Sequence, residues 1–519
     1  MENLQIYIHV PNPSSRMVHV RYNFVSTAPS TEISLPLWRP GRYENQNYAK
    51  NLFDLSVTNS QQQYLNIVKK STNTWSFKSN PNENLNLSYT YYANQQDAGG
   101  SYVDDDVWYF NFVNFCMQIV GYVDPIELYI SHDSAKTYSC GLDFKQQPKT
   151  ISAICNSWYE LYDSPFISSK NITRLSYEIE KTPFYLDFYG IDTLSNKDQI
   201  ITDFKKFTLF QYQYFGEFPF QKYHFQFLIL PYDYYHGVEH RNSTVIVLGS
   251  QEKFKSGSLY SDFLGISSHE LFHAWNICKI RPSEFLPYSY MHRKIFNTGF
   301  VAEGFTTYLG DYVLYASGVI SYEEYMHELH QILQRHFCNM ANTKTSLIRS
   351  SEELGVDGYI PSHPERKVSI YDKGALAALV LDAFIEIFSE GKYSLHNVLT
   401  DLWKSKDIGY TEADINKLVV KYGGQAIIPI YEECIWGTTY LQNLIIQALN
   451  YRKWHIDINV YLQHPIHTQG YSFIEKNGRK IIEKVNPENK IYATLAIGDE
   501  IETVNGNVIS IIRNGRKIL

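Results

Sequence analysis

Apolar and polar residues alternate with a period of two over the first third of the chain. Leu4, Ile6, Ile8 and Val10 share one face, as do Val18, Val20, Tyr22 and Phe24, and then Leu85, Leu87, Tyr89 and Tyr91. Successive side chains of a strand point to opposite faces, so this spacing predicts half-buried strands. Turn formers such as Pro11-Asn12-Pro13 and Pro40-Gly41 separate the runs, which is the signature of antiparallel pairing. An antiparallel β domain is expected over 1–165. From 166 the pattern mixes, with a helix expected over 198–215 and a β-branched strand over 244–248. A helical period dominates from about 258 to 450. Ser321 with Glu324 and Thr411 with Asp414 have the spacing of capping boxes and predict two helix starts. Short strands return after about 460. The expected class is multidomain α+β, divided as 1–165, 166–450 and 451–519.

Composition narrows the chemistry. Apolar residues make up 44% of the 519 and charged residues 19%, enough for real cores and too little charge for a disordered chain. The formal charge of −8 argues against binding nucleic acid or an anionic membrane. The six cysteines stand apart with no C-x-x-C pair, which excludes a zinc ribbon and disfavours a disulfide scaffold. A metal, if held, falls to histidine and carboxylate. The start of the chain has an acidic residue and no apolar run, unlike a secretory leader. No apolar stretch nears the ~18 residues of a membrane helix, since the one from Ala375 to Leu381 is cut by Asp382. A soluble cytoplasmic protein is expected.

One segment stands out, Ser268-His269-Glu270-Leu271-Phe272-His273-Ala274-Trp275-Asn276. His269 and His273 lie at i and i+4, so on a helix both imidazoles leave one face a turn apart and can grip one ion. Glu270, rotated about 100° from His269, can reach a water on that ion without binding it. A chain with this histidine content produces such an H-E-x-x-H by chance on the order of 0.03 times. Catalytic zinc takes three protein ligands and leaves a fourth position open. Asn276 and Lys279 occupy the places where a metzincin needs glycine and histidine, so that class is excluded. Glu284 follows Arg281-Pro282 in an expected loop; Glu303 opens an expected second helix and is the better-placed third ligand. Tyr371, before an expected helix over 375–389, is a candidate donor to a developing oxyanion. His236-Gly237-Val238-Glu239-His240 precedes the strand at 244–248, where Glu239 could hold a substrate ammonium if the segment is not simply a solvated loop.

Taken together, these residues resemble the glycyl aminopeptidase family of gluzincin zinc metallopeptidases. The resemblance rests on His269-Glu270-x-x-His273-x-Trp275-Asn276, Ile280-Arg281-Pro282, Glu303-Gly304-x-Thr306-x-Tyr308 and Tyr371-Asp372-Lys373-Gly374-Ala375, in that order. Pro36-Leu37-Trp38-Arg39-Pro40-Gly41-Arg42-Tyr43 and Gly237-Val238-Glu239-His240 also look like that family. The resemblance implies one zinc ion per chain held by His269, His273 and Glu303, with Glu270 as general base and proton shuttle. It implies Tyr371 as transition-state stabiliser, and Glu239 with Gly237 as the contact for the free amino terminus of a peptide. The implied fold is a β domain, a thermolysin-like catalytic domain and a PDZ domain; the implied activity is removal of small N-terminal residues such as glycine or alanine. Cys278 stands where the pattern has a basic residue.

Gly470-Tyr471-Ser472-Phe473 and Gly498-Asp499-Glu500-Ile501, followed by Asn505-Gly506, look PDZ-like. Only 13 residues follow Gly506, whereas a PDZ groove holds peptide between a strand and a helix, so the module is expected to be incomplete and its capture of C-terminal peptides open. Two other readings stand beside the aminopeptidase: a zinc endopeptidase on the same core, and a catalytically inactive PDZ-containing binding protein.

Overall fold

A computed structural model describes residues 4–39, 41–359, 363, 365–504, 507–513 and 516–517. Pro40, Asn505 and Gly506, which belong to motifs noted above, lie outside the described residues.

The alternating runs form a seven-stranded sheet in the order Lys145–Gln147, Thr150–Cys155, Ile126–Ser131, Leu4–His9, Met17–Val25, Asn84–Tyr92, Leu52–Thr58. Leu4, Ile6, Ile8, Val18, Val20, Leu85 and Leu87 are buried on one face, as their period of two requires. They share a core with Ile33, Trp75, Phe77 and Phe110 of two four-stranded sheets. One pairing departs from the antiparallel expectation: Leu4–His9 runs parallel to Ile126–Ser131, with Leu4 opposite Ile126. Side-chain alternation reports which face is buried and carries no information on the direction of the neighbour. The strand Phe166–Ser169 still pairs with Val107–Phe110 of this β region.

A second architecture follows. Five strands lie in the order Ile172–Ile179, Thr182–Tyr189, Tyr223–Leu230, Ser243–Gly249, Tyr234–His240. Every residue of Tyr223–Leu230 and of Ser243–Gly249 is buried, the mark of parallel-paired strands covered on both faces. The helix Lys197–Phe215 is the crossover between the parallel strands Thr182–Tyr189 and Tyr223–Leu230. The His236–His240 segment is therefore part of an edge strand, antiparallel to Ser243–Gly249, and no solvated loop.

Helices build the rest around one central helix, Asp372–Phe388, whose residues from Lys373 to Ile385 are all buried. Each buried leucine or valine there contributes roughly 1.5–3 kcal/mol relative to exposure. Both predicted capping boxes form, with reciprocal bonds at Ser321/Glu324 and Thr411/Asp414. No described helix is long and apolar enough to cross a membrane. The C-terminal region is a five-stranded sheet from Tyr471–Lys476 to Arg516–Lys517 with a 3-10 turn at Lys490–Ala493. Beyond residue 470 the described residues include no α-helix, the element a PDZ groove needs beside its strand.

Candidate active site

The motif helix, Tyr260–Phe272, ends one residue before the second histidine, and His273 caps it with helical backbone angles. Both imidazoles thus leave one face, with their Nε2 atoms 2.9 Å apart. His273 Nδ1 donates to the Asn276 carbonyl at 2.9 Å, which fixes the ring and turns Nε2 toward His269 and Glu303. The helix is held against its neighbours by Ser268 Oγ, which donates to the Gly310 carbonyl at 2.8 Å. Gly310 itself allows a close crossing: a Cβ there would stand 3.1 Å from His269 Cα.

Glu303 does not open an α-helix as expected. It lies inside a π-helical turn, Phe300–Phe305, that leads into the helix Thr306–Ala316. Such turns are rare bulges found mostly at functional sites. The turn presses on the start of the central helix, and a Cβ on Gly304 would come 2.5 Å from the Gly374 backbone. Two glycines therefore permit the approach that sets Glu303 beside Tyr371. Asn276 Nδ2 ties the post-motif turn to the same bulge, donating to the Val301 carbonyl at 2.8 Å and to Thr306 Oγ1 at 2.9 Å. Glu303 Oε2 ends 3.4 Å from His273 Nε2 and 3.8 Å from His269 Nε2. One donor atom from each of His269, His273 and Glu303 fits within 4.8 Å of the others. Two imidazoles and a carboxylate, converging, with His273 and Glu303 buried and His269 half-buried, are a fitting donor set for catalytic zinc. Glu284 sits in a 3-10 turn, Ser283–Phe285, and takes no part in the cluster.

Two further carboxylates face this cluster. Glu270 and Glu239 are 5% and 3% exposed, and Glu270 Oε2 and Glu239 Oε1 accept no hydrogen bond. Glycines make room for both: a Cβ on Gly237 would meet Glu270 Oε1 at 2.2 Å, and one on Gly41 would meet Glu239 Oε2 at 2.4 Å. Burial pushes the Glu270 carboxyl well above its usual range, against the pull of His273 and with the push of Glu239 and Glu303. Burial likewise raises Glu239, to about 7. At Glu303 burial is outweighed by the attraction of and hydrogen bond to His273, and the carboxyl is held below its usual value. Burial and the neighbouring His273 push His269 down to about 3.

Tyr371 lies at the N-cap of the central helix. Burial, followed by the charge of Glu303, keeps its phenol protonated far above the ordinary tyrosine range, so it is a donor at neutral pH. His269, Glu270, His273, Glu303, Tyr371, Glu239 and Gly237 all line one cavity of about 650 Å³. Behind Glu239 a recess of about 10 Å³ is walled by Trp38, Tyr43, Ile277, Cys278 and Tyr288. Sequence reading assigned no role to Tyr43, Asn276 or the Gly304/Gly374 pair. Tyr43 OH donates to Glu303 Oε1 at 2.5 Å across 260 positions of sequence, a contact no local pattern announces. Its only sequence signal is membership of the aromatic Pro-Gly run.

Residues 5–170 match the family model of the Peptidase M61 N-terminal domain, and residues 262–377 match that of M61 glycyl aminopeptidase. Together they span more than half of the chain. Among solved structures, an aminopeptidase N family protein from Idiomarina loihiensis superposes with a TM-score of 0.85 at 23% identity, over 97% of this chain and 90% of that one. An M1 zinc metallopeptidase from Deinococcus radiodurans gives a TM-score of 0.53 at 12% identity, over 84% and 94% of the two chains. A mutant M1 zinc metallopeptidase from the same organism, bound to a Tyr-Ser-Ala substrate, gives 0.51 at 13% over the same shares. These identities speak to fold alone. No curated protein matches the chain in sequence.

Proposed function

The chain belongs to the M61 glycyl aminopeptidase family and is a peptidase, and on that premise we propose a zinc-dependent aminopeptidase that removes small N-terminal residues from peptides. The observation that carries the reading is one cavity shared by His269, His273, Glu303 and the unpartnered carboxylates of Glu270 and Glu239. His269, His273 and Glu303 would hold one zinc ion, which when bound polarises a peptide carbonyl and acidifies water.

The rest is work for the protein's own groups. Glu270, with a free oxygen in the cavity beside the cluster, takes a proton from the attacking water and returns it to the leaving amine. The Tyr371 phenol donates to the oxyanion as charge develops there. Glu239 receives the substrate ammonium and so sets the first peptide bond, and no later one, in the reacting position. Glu239 also borders the recess of about 10 Å³, which has room for about one water-sized group. Glycine and alanine fit such a space; larger side chains require its aromatic wall to move. The division into a β unit to 165, a thermolysin-like catalytic unit to 450 and a small terminal unit belongs to the same proposal.

Cleavage of a panel of aminoacyl amides and tripeptides, free and N-acetylated, with and without a chelator, tests this reading. Hydrolysis confined to free amino termini, strongest for glycine and alanine and abolished by the chelator, is expected. Equal cleavage of acetylated peptides would make the protein an endopeptidase instead.

A further inference from the structure

The phenol of Tyr43 comes from the β region, in the segment between the strand Ser30–Ser34 and the 3-10 turn Tyr48–Asn51, and reaches the metal-ligating cluster from outside the helical half. Its O–H donates to Glu303 Oε1 at 2.5 Å, the length of a charge-assisted O–H···O⁻ bond. The other carboxylate oxygen, Oε2, is the one 3.4 and 3.8 Å from the two imidazoles. Tyr43 is 4% exposed, and its ring packs on Phe296 with centroids 5.2 Å apart. The segment carrying it is tied down at three positions just before it. Leu37 N donates to the Tyr290 carbonyl at 2.9 Å, Trp38 Nε1 to the Ser289 carbonyl at 2.8 Å, and Tyr359 OH to the Gly41 carbonyl at 3.0 Å. Packing alone would be served as well by phenylalanine, whereas here the hydroxyl meets the carboxylate directly.

We propose that Tyr43 is a positioning residue for the metal cluster, engaging Glu303 Oε1 so that Oε2 alone faces His269 and His273. The role rests on the zinc reading of the site and extends it: the β region completes the metal centre, so seating of that segment and retention of metal are one event. Partners in this position typically change metal affinity by roughly 10–100-fold when removed.

Zinc affinity measured by competition with a chromogenic chelator tests this on the full chain. Tyr43→Phe keeps the ring and is expected to weaken zinc binding roughly 10–100-fold, and to shift the visible absorption bands of the cobalt-substituted protein. Tyr371→Phe, which removes a hydroxyl from the same cavity, is expected to lose turnover while its zinc affinity stays that of the wild type. Phe296→Leu, which loosens the ring packing and keeps the hydroxyl, is expected to retain zinc better than Tyr43→Phe. Zinc affinity of Tyr43→Phe within twofold of wild type would overturn the proposal, as would an equal loss in Phe296→Leu. A wild-type protein that binds no zinc would instead overturn the reading of the site itself.

Discussion

Two groups of carboxylates, one around the central helix and one around the candidate metal cluster, are treated oppositely by the fold. Asp382, 5% exposed on the central helix, has both oxygens engaged. Oδ2 accepts from Tyr308 OH at 2.7 Å and from Arg452 at 2.6 Å, and Oδ1 accepts from Leu395 N at 2.7 Å. Glu386 joins the same arginine at 2.9 Å. Glu239 and Glu270 are as deeply buried, yet each keeps an oxygen without a partner, while the other oxygen fits against a glycine. An unpaired buried polar group costs about 1–3 kcal/mol, more when charged. A fold that engages both oxygens of Asp382 and leaves an oxygen of Glu239 and of Glu270 unpaired has built the first cluster for itself and the second for a ligand.

The largest effect that separates the two clusters is expected from Glu270→Gln. Removing a general base should lower kcat roughly 10²–10⁴-fold while zinc content and the thermal midpoint hold; activity within tenfold of wild type would place the proton transfer elsewhere. Asp382→Ala should do the reverse. It breaks the buried pair with Arg452, which keeps only Glu386, and leaves Tyr308 OH and Leu395 N without their acceptor, a change worth about 3–5 kcal/mol, read as a fall in the denaturant midpoint with kcat/KM per folded molecule kept. A next and smaller effect is expected from Glu239→Ala. Loss of a charge-assisted contact of about 1.5–3 kcal/mol should raise KM for free peptides roughly 10–150-fold without affecting blocked ones. Gly304→Ala should have the mildest effect, about 1–3 kcal/mol of strain where its Cβ meets the Gly374 backbone, seen as a lower thermal midpoint. Should Asp382→Ala abolish turnover in folded protein, the contrast between the clusters would collapse.

The reacting residues could be read from sequence because their chemistry is local. His269 and His273 are one helical turn apart, and Glu270 is adjacent to the first. The β region was similarly open, since Leu4, Ile6 and Ile8 carry a period that burial imposes. What stayed hidden depends on distance or on backbone detail. A π turn at Glu303 has the same apolar spacing as the α-helix expected there, so only the extra backbone hydrogen-bond step distinguishes it. Gly304 and Gly374 look like weak points in two helices until their backbones are seen to touch. Tyr43 is one of 43 tyrosines, and its partner lies 260 positions away. The segment at Glu239 reads equally well from sequence as a solvated loop, and only its pairing with Ser243–Gly249 makes it an edge strand.

Whether His269, His273 and Glu303 hold a metal is decided by zinc analysis of the purified full chain beside its Glu303→Ala variant. About one zinc per wild-type chain, as a single catalytic site requires, and its loss from the variant are expected. Wild-type protein without zinc, or a variant that holds as much as the wild type, would contradict that assignment.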